Sequence, residues 1–151
     1  MTFYKCTLAV IIVWWIAFPA CAFTFSYGDL FSVKNVTLQD GLVTLPKTQK
    51  KYRNVKILSK EVYRFLKTCQ TDCRYAAAGK EFVSMDYRKA RSREGMLIAD
   101  VQFNEDIIVT FLVFANQKGF SVKTPQEVTF EDKKLEQEVI KYVETLAQKT
   151  L

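Results

Sequence analysis

Two clusters of basic residues are the part of this sequence whose side-chain types and spacing could support binding chemistry. The first cluster is Lys47, Lys50, Lys51 and Arg53, and the second is Arg88, Lys89, Arg91 and Arg93. Ammonium and guanidinium groups gathered in this way attract phosphate, sulfate and carboxylate groups. The sequence therefore predicts two candidate anion-binding surfaces. The competing interpretation is that these cations only keep exposed turns soluble.

The charge is distributed unevenly along the chain. Residues 34–93 contain 15 basic and 5 acidic residues, a net charge of +10, whereas residues 94–151 contain 6 basic and 10 acidic residues, a net charge of −4. A surplus of this size favours an anionic partner. That partner could be an acidic protein surface, or a polyanion such as a nucleic acid, an acidic glycan or a lipid headgroup surface.

The composition argues against an enzyme. The chain has no histidine, so the side chain that most often serves as general base or nucleophile activator is absent. The adjacent acids Glu105–Asp106 and Glu131–Asp132 fall at a predicted turn and before a predicted helix, where acids commonly have structural roles. The sequence contains no glycine-rich phosphate loop or nucleophile elbow. We expect no catalytic residue, cofactor or metal, and a histidine-free hydrolase is the third hypothesis.

The amino terminus has the pattern of an export signal. Lys5 precedes an unbroken apolar run from Leu8 to Phe18, and Ala20-x-Ala22 matches a signal-peptidase site. We expect residues 1–22 to be a signal peptide and residues 23–151 to form a single mature domain, periplasmic or secreted. The apolar run is shorter than a membrane span requires. The alternatives are a lipid anchor at Cys21 and an uncleaved leader that holds the protein at the membrane.

Two cysteines remain after the predicted cleavage. Cys69 and Cys73 are separated by three residues, where a thioredoxin-like pair has two. A zinc site would need further histidine or cysteine ligands, which the mature chain lacks. In an oxidising compartment the pair is therefore predicted to form a structural disulfide.

The pattern of apolar residues predicts an α+β fold. A hairpin is expected around Asp40–Gly41, and a short helix is expected after Ser59, with Val62, Phe65 and Leu66 on one face. Four antiparallel strands should follow as a meander. They are marked by alternation at Val83, Met85 and Tyr87, by alternation over residues 97–103, by the apolar run 107–115, and by residues 120–123. The run 107–115 does not alternate, so we expect a central strand buried on both faces.

The end of the chain has helical periodicity. Apolar residues recur at three- to four-residue spacing, at Leu135, Val139, Tyr142 or Val143, and Leu146, and the helix should pack on the sheet. Two starts compete, one at Thr124 and one at Thr129 with Asp132. We favour the second, because the intervening residues 128–130 favour a strand.

The function that best fits these features is an exported, non-catalytic binding domain. It would act by protein–protein interaction, in a virulence-associated effector role or as an inhibitor or immunity-type protein. Polyanion binding through the basic turns is the alternative. Two further motifs carry weaker hypotheses. Asn35-Val36-Thr37 is a glycosylation sequon if the source is eukaryotic, and Arg88-x-x-Arg91 is a minimal basic processing motif.

Overall fold

The computed structural model describes residues 21–46, 54–89 and 95–150 of the 151-residue chain. Within these ranges the protein has two helices and ten strands in two five-stranded sheets. The helices are α1 (Lys60–Thr68) and α2 (Lys133–Thr150). The strands are β1 (Cys21–Tyr27), β2 (Phe31–Gln39), β3 (Leu42–Thr44), β4 (Val55–Ile57), β5 (Cys73–Tyr75), β6 (Phe82–Lys89), β7 (Met96–Phe103), β8 (Ile107–Asn116), β9 (Gly119–Lys123) and β10 (Val128–Phe130). The predicted α+β class is confirmed.

The two sheets differ in how their strands are joined. The meander sheet has the order β4-β8-β7-β6, and β9 also pairs with β8. The second sheet has the order β10-β2-β1-β5, and β3 also pairs with β2. All of these pairs are antiparallel except that of β1 with β5. The predicted meander is confirmed, and residues 128–130, which were predicted to favour a strand, form β10. The sequence analysis did not predict β1, β4 or β5 as strands.

The predicted hairpin connects β2 with β3. Asp40 and Gly41 both have positive φ, 51° and 75°. Two successive residues with positive φ form a tight hairpin turn whose twist matches that of the two strands it joins. The Asp-Gly signal therefore located this connection correctly.

The alternation predicted for β6 is wrong. A register shift lies between Ser84 and Asp86, so that Val83 pairs with Gln102 whereas Tyr87 pairs with Ala99. Ala99 is a core residue and Gln102 is not. A β-bulge of this kind inserts one extra residue and reverses the face that each later position occupies. Positions 83 and 87 therefore do not share a face, and Val83 is 46% exposed.

The central strand β8 has one face toward the core and one face away from it, and its core-facing side chains are the more completely buried. Ile107, Val109, Phe111 and Val113 are all fully buried there. On the opposite face Thr110 is buried, and Ile108, Leu112 and Phe114 are half-buried. Strand β8 was predicted to be buried on both faces. Its core face is fully buried and its other face is partly buried.

The core joins the two sheets and both helices. The Phe31 ring of β2 lies 5.2 Å from the Phe103 ring of β7 and 5.3 Å from the Phe130 ring of β10. Helix α2 contributes buried side chains at four-residue intervals, which are Leu135, Val139, Val143 and Ala147. This aromatic centre holds the second sheet and α2 against the meander sheet.

Helix α2 begins in the favoured region but with a different cap. The Asp132 carboxylate accepts a hydrogen bond from the Leu135 backbone N–H at 3.0 Å, so Asp132 is the N-terminal cap. Thr129 instead pairs with Ser32 in the second sheet. Residues 128–130 form strand β10, as their β-propensity predicted. The helix cap is therefore Asp132, three residues after the predicted cap Thr129.

Candidate functional site

Helix α1 forms for reasons that are visible in its sequence. The Ser59 hydroxyl accepts a hydrogen bond from the Val62 backbone N–H at 3.4 Å and caps the first turn. Val62 and Leu66 are fully buried, whereas Phe65 is half-buried against the core. The predicted middle helix and its cap are therefore confirmed.

Both ends of α1 are anchored to other elements. At the start, the Asp106 carbonyl oxygen accepts hydrogen bonds from the backbone N–H groups of Leu58 (2.8 Å) and Ser59 (3.2 Å). At the end, Cys69 is bonded to Cys73, the first residue of β5, with a Cα–Cα distance of 6.1 Å. The predicted disulfide is confirmed. A helix held in this way presents its exposed side chains on a rigid support.

The exposed side of α1 is basic. Lys60, Arg64 and Lys67 are exposed at helical spacing i, i+4 and i+7, which places them along one side of the helix. We call these three residues the cationic face of α1. In the described part of the chain none of them forms an ion pair. The Lys67 ammonium lies 4.9 Å from the centre of the Tyr63 ring, in a cation–π contact.

The single acidic side chain of α1 interacts with another element. Glu61 contacts Tyr75 in β5, and this contact contributes to a raised pKa of the Tyr75 hydroxyl, for which burial is the main cause. The cationic face therefore has no acidic partner on its own helix.

An open groove of about 330 Å³ lies beside this helix, between β3 and β4. Its lining residues are Leu42, Val43, Thr44, Leu45, Lys56, Ile57 and Tyr63. We call this the β3–β4 groove. Leu42 is 62% exposed and gives the groove an apolar margin that a ligand could cover. Tyr63 belongs both to the groove and to α1, so apolar and cationic surfaces adjoin.

A group of hydrogen-bonded polar side chains lies beneath the residues that precede α1, around Asp106. The fully buried Tyr27 hydroxyl donates to the Asp106 carboxylate at 2.5 Å, and the Asn104 side-chain amide donates to the Tyr27 oxygen at 3.2 Å. Burial, with the bond to Asp106, raises the pKa of Tyr27 far above that of a free tyrosine. Tyr27 therefore stays neutral. This group ties β1 to the β7–β8 turn.

Two other cations are used in ion pairs. The Arg74 guanidinium donates to the Gly28 carbonyl oxygen at 2.5 Å and to the Asp29 carboxylate at 2.7 Å, and it lies 3.4 Å from Glu131. The Lys80 ammonium lies 2.7 Å from the Asp132 carboxylate. Their mutual hydrogen bond raises the pKa of Lys80 and lowers that of Asp132. Glu131 and Asp132 therefore have structural roles in ion pairs.

The basic clusters predicted from the sequence are only partly described. Lys47, Lys50, Lys51, Arg53, Arg91 and Arg93 lie outside the described residues. Arg88 and Lys89 belong to β6, where they pair with Ile98 and Leu97. These two positions therefore occupy opposite faces of the meander sheet, and they extend the strand rather than the turn. The sequon residue Asn35 is exposed on β2.

The sequence analysis missed the cationic face of α1. It used the helical period only for the apolar positions of the segment 60–68. The same period applied to the polar positions selects Lys60, Arg64 and Lys67. These cations are spread over eight residues, so they do not appear as a cluster until they are placed on a helix.

The comparisons do not place the chain in a family. No protein-family model, curated protein or solved structure gives a significant match. Fold and site thus define only a class: an α+β protein with two sheets, a helix whose cations pair with no described acid, and an adjacent groove of mixed polarity.

No group of three or more histidine, cysteine, aspartate or glutamate side chains in the described ranges is arranged to hold a metal ion. Neither α1 nor α2, the helices of those ranges, is long and apolar enough to cross a membrane.

Proposed function

We propose that the protein is an exported, non-catalytic binding domain that acts by holding another protein, in an effector, inhibitor or immunity-type role. The observation that carries this proposal is the β3–β4 groove, with its exposed Leu42, beside the unpaired cationic face of α1. Protein interfaces combine an apolar centre with a polar rim in this way. The charged rim speeds encounter with a complementary partner, and the buried apolar contacts supply most of the affinity.

The groove favours a protein partner over a polyanion. A nucleic acid or a sulfated glycan would pair with Lys60, Arg64 and Lys67 but would leave Leu42 and Ile57 without apolar contacts. A protein segment can satisfy both surfaces at once.

The polar groups of the described residues support a role without catalysis. The Tyr27 hydroxyl is kept neutral by burial and by its bond to Asp106, so it is a poor nucleophile or base near neutral pH. Glu131 and Asp132 are engaged with Arg74 and Lys80. The chain has no histidine, and the described acid pair 131–132 and the Tyr27 hydroxyl are already engaged in structural contacts.

Export is supported by three features. The leader has the charge, length and small residues of a signal peptide. The Cys69–Cys73 disulfide is of a kind that persists in the periplasm or outside the cell. Three core residues of β1, Phe23, Phe25 and Tyr27, all follow the predicted cleavage point.

Polyanion binding is the second candidate, and the net charge of +10 over residues 34–93 is the observation that favours it. Heparin resin and partner capture separate the two functions. A polyanion binder elutes from heparin only at high salt and loses retention when Arg88, Lys89, Arg91 and Arg93 are changed to serine, because each ion contact releases counterions.

Capture of a protein partner provides the direct test. The immobilised protein is exposed to an extract of its native source in rising sodium chloride. We expect a bound protein that resists moderate salt and is lost when Leu42 is changed to serine. Val83→Ser is the matched control, because Val83 is a comparably exposed apolar residue outside the groove. Strong heparin retention without any Leu42-dependent partner would overturn the proposal.

A further inference from the structure

We propose that the partner enters the β3–β4 groove as an extended segment that adds a strand to β3 and carries acidic side chains toward α1. This inference rests on the proposed function, and it specifies the shape and charge of the partner. Three features carry it: the edge of β3, the position of β4 and the charge of the groove margin.

The first feature is the edge of β3. This three-residue strand pairs with β2 and with no other strand in the described part of the chain. No described strand occupies the other edge of β3, so its backbone groups on that side can pair with an added strand. Residues 42–46 carry no charge that would repel an added strand at this edge, although β3 is short and Pro46 follows it. Leu42 is exposed beside this edge.

The second feature is that β4, an edge strand of the meander sheet, borders the same groove. It pairs with β8 from Val55 to Ile57, and Lys56 and Ile57 line the groove. Residues from one edge strand of each sheet thus line the same groove, which has both apolar and polar side chains. A bound strand would place alternate side chains against Leu42, Ile57 and Tyr63, because successive side chains point to opposite faces.

The third feature is charge. Among the described residues that line the groove there is Lys56 and no acid, and the cationic face of α1 adjoins it. Lys56, like that face, has no ion-pair partner among the described residues. Carboxylates on the solvent-facing positions of a bound strand would lie near these cations. An alternating apolar–acidic segment therefore matches the surface.

The same charges argue against a second copy of this chain as the occupant. A symmetric pairing through β3 would bring two copies of Lys56 and of the cationic face toward each other. Like charges brought together at an interface disfavour that pairing. A different, acidic chain avoids this repulsion.

The probe is a fluorescein-labelled nonapeptide of alternating glutamate and valine, and its binding to the purified protein is followed by fluorescence anisotropy. We expect Leu42→Ser to weaken binding at least about fivefold, whereas Val83→Ser should leave it within about twofold. The matching lysine–valine peptide should not bind. Equal binding of both peptides, or no effect of Leu42→Ser, would overturn the inference.

Backbone pairing is tested with two further peptides, N-methylated at the odd or at the even residues. At least one should bind at least about fivefold more weakly, because a methyl group removes the donor that pairs with β3. If both bind like the parent peptide, the partner does not add a strand. A dimer of the protein alone, dispersed by Leu42→Ser, would identify a second copy as the occupant and would also overturn the inference.

The two proposals can fail separately. If the native partner is captured through Leu42 while the N-methylated peptides bind normally, the binding function stands and strand addition is wrong. If no protein is captured in a Leu42-dependent way, the proposed function itself fails.

Discussion

Two groups of cations in the described residues have the same chemistry but different surroundings. Arg74 and Lys80 lie beside Asp29, Glu131 and Asp132 and form ion pairs with them. The cationic face of α1 is comparably exposed, but no described acidic side chain pairs with it. The first group connects elements of the fold, whereas the second group is available to a partner.

The disulfide joins these two regions. Cys69 ends α1 and Cys73 begins β5, the strand that carries Arg74. The Asp106 carbonyl fixes the opposite end of the helix. The region that contains β5 and Arg74 therefore holds α1, which carries the cationic face, in place. Substitutions that weaken the packing and bonds around α1 test this relation.

The largest effect is expected from Leu66→Ala. Leu66 is fully buried on the inner side of α1, and its truncation should lower the free energy of unfolding by about 2 to 5 kcal/mol. Partner binding should fall as well, because the cationic face loses its support. Chemical denaturation measures the first effect. A loss below about 0.5 kcal/mol would show that α1 is not packed as described.

Removal of the disulfide should have a smaller effect. Changing both Cys69 and Cys73 to serine should cost about 2 kcal/mol, since the closed loop is short. Thermal unfolding with and without a reducing agent provides the measurement. If reduction leaves the melting temperature of the native protein unchanged, the bond does not secure the end of α1.

The smallest stability effect in this series is expected from Tyr27→Phe. The loss of the hydroxyl bonds to Asp106 and Asn104 should cost about 1 to 2 kcal/mol near neutral pH. Burial raises the folded-state pKa of Tyr27, so the folded protein holds the phenol proton more tightly than the unfolded chain. This contribution is complete below pH 10 and is lost as the pH rises above it.

The pH dependence separates this account from a simple packing effect. The stability difference between the native protein and the variant should shrink as the pH is raised from 9 to 11. A difference that stays constant over this range would mean that Tyr27 has an ordinary pKa.

Much of the fold could be predicted because its signals are local. Asp40–Gly41 defined a turn, Ser59 a cap, and the apolar run 107–115 a central strand. The strands that were missed depend on partners that are distant in sequence. Residues 73–75 form a strand because they pair with β1. A segment of three residues is too short to show a periodic pattern in the sequence. The bulge at β6 has the same origin, since it exists only relative to β7.

The candidate site was harder to predict than the fold. The sequence shows where cations are dense, but the presence of a neutralising acid depends on tertiary contacts. Arg74 forms ion pairs with Asp29 and Glu131, which are distant in the sequence. Lys60 forms none with any acid in the described ranges. The groove likewise arises from two strands whose approach is a property of the folded core.

The most direct test of the central claim replaces the cationic face with glutamine. The variant K60Q/R64Q/K67Q is compared with K134Q/K141Q/K149Q, which removes the same charge from exposed positions of α2. Capture of the native partner is measured for both. We predict that the first variant loses the partner, that the second keeps it, and that both unfold within about 0.5 kcal/mol of the native protein. Equal loss in the two variants would show that net charge, and not the face of α1, recognises the partner.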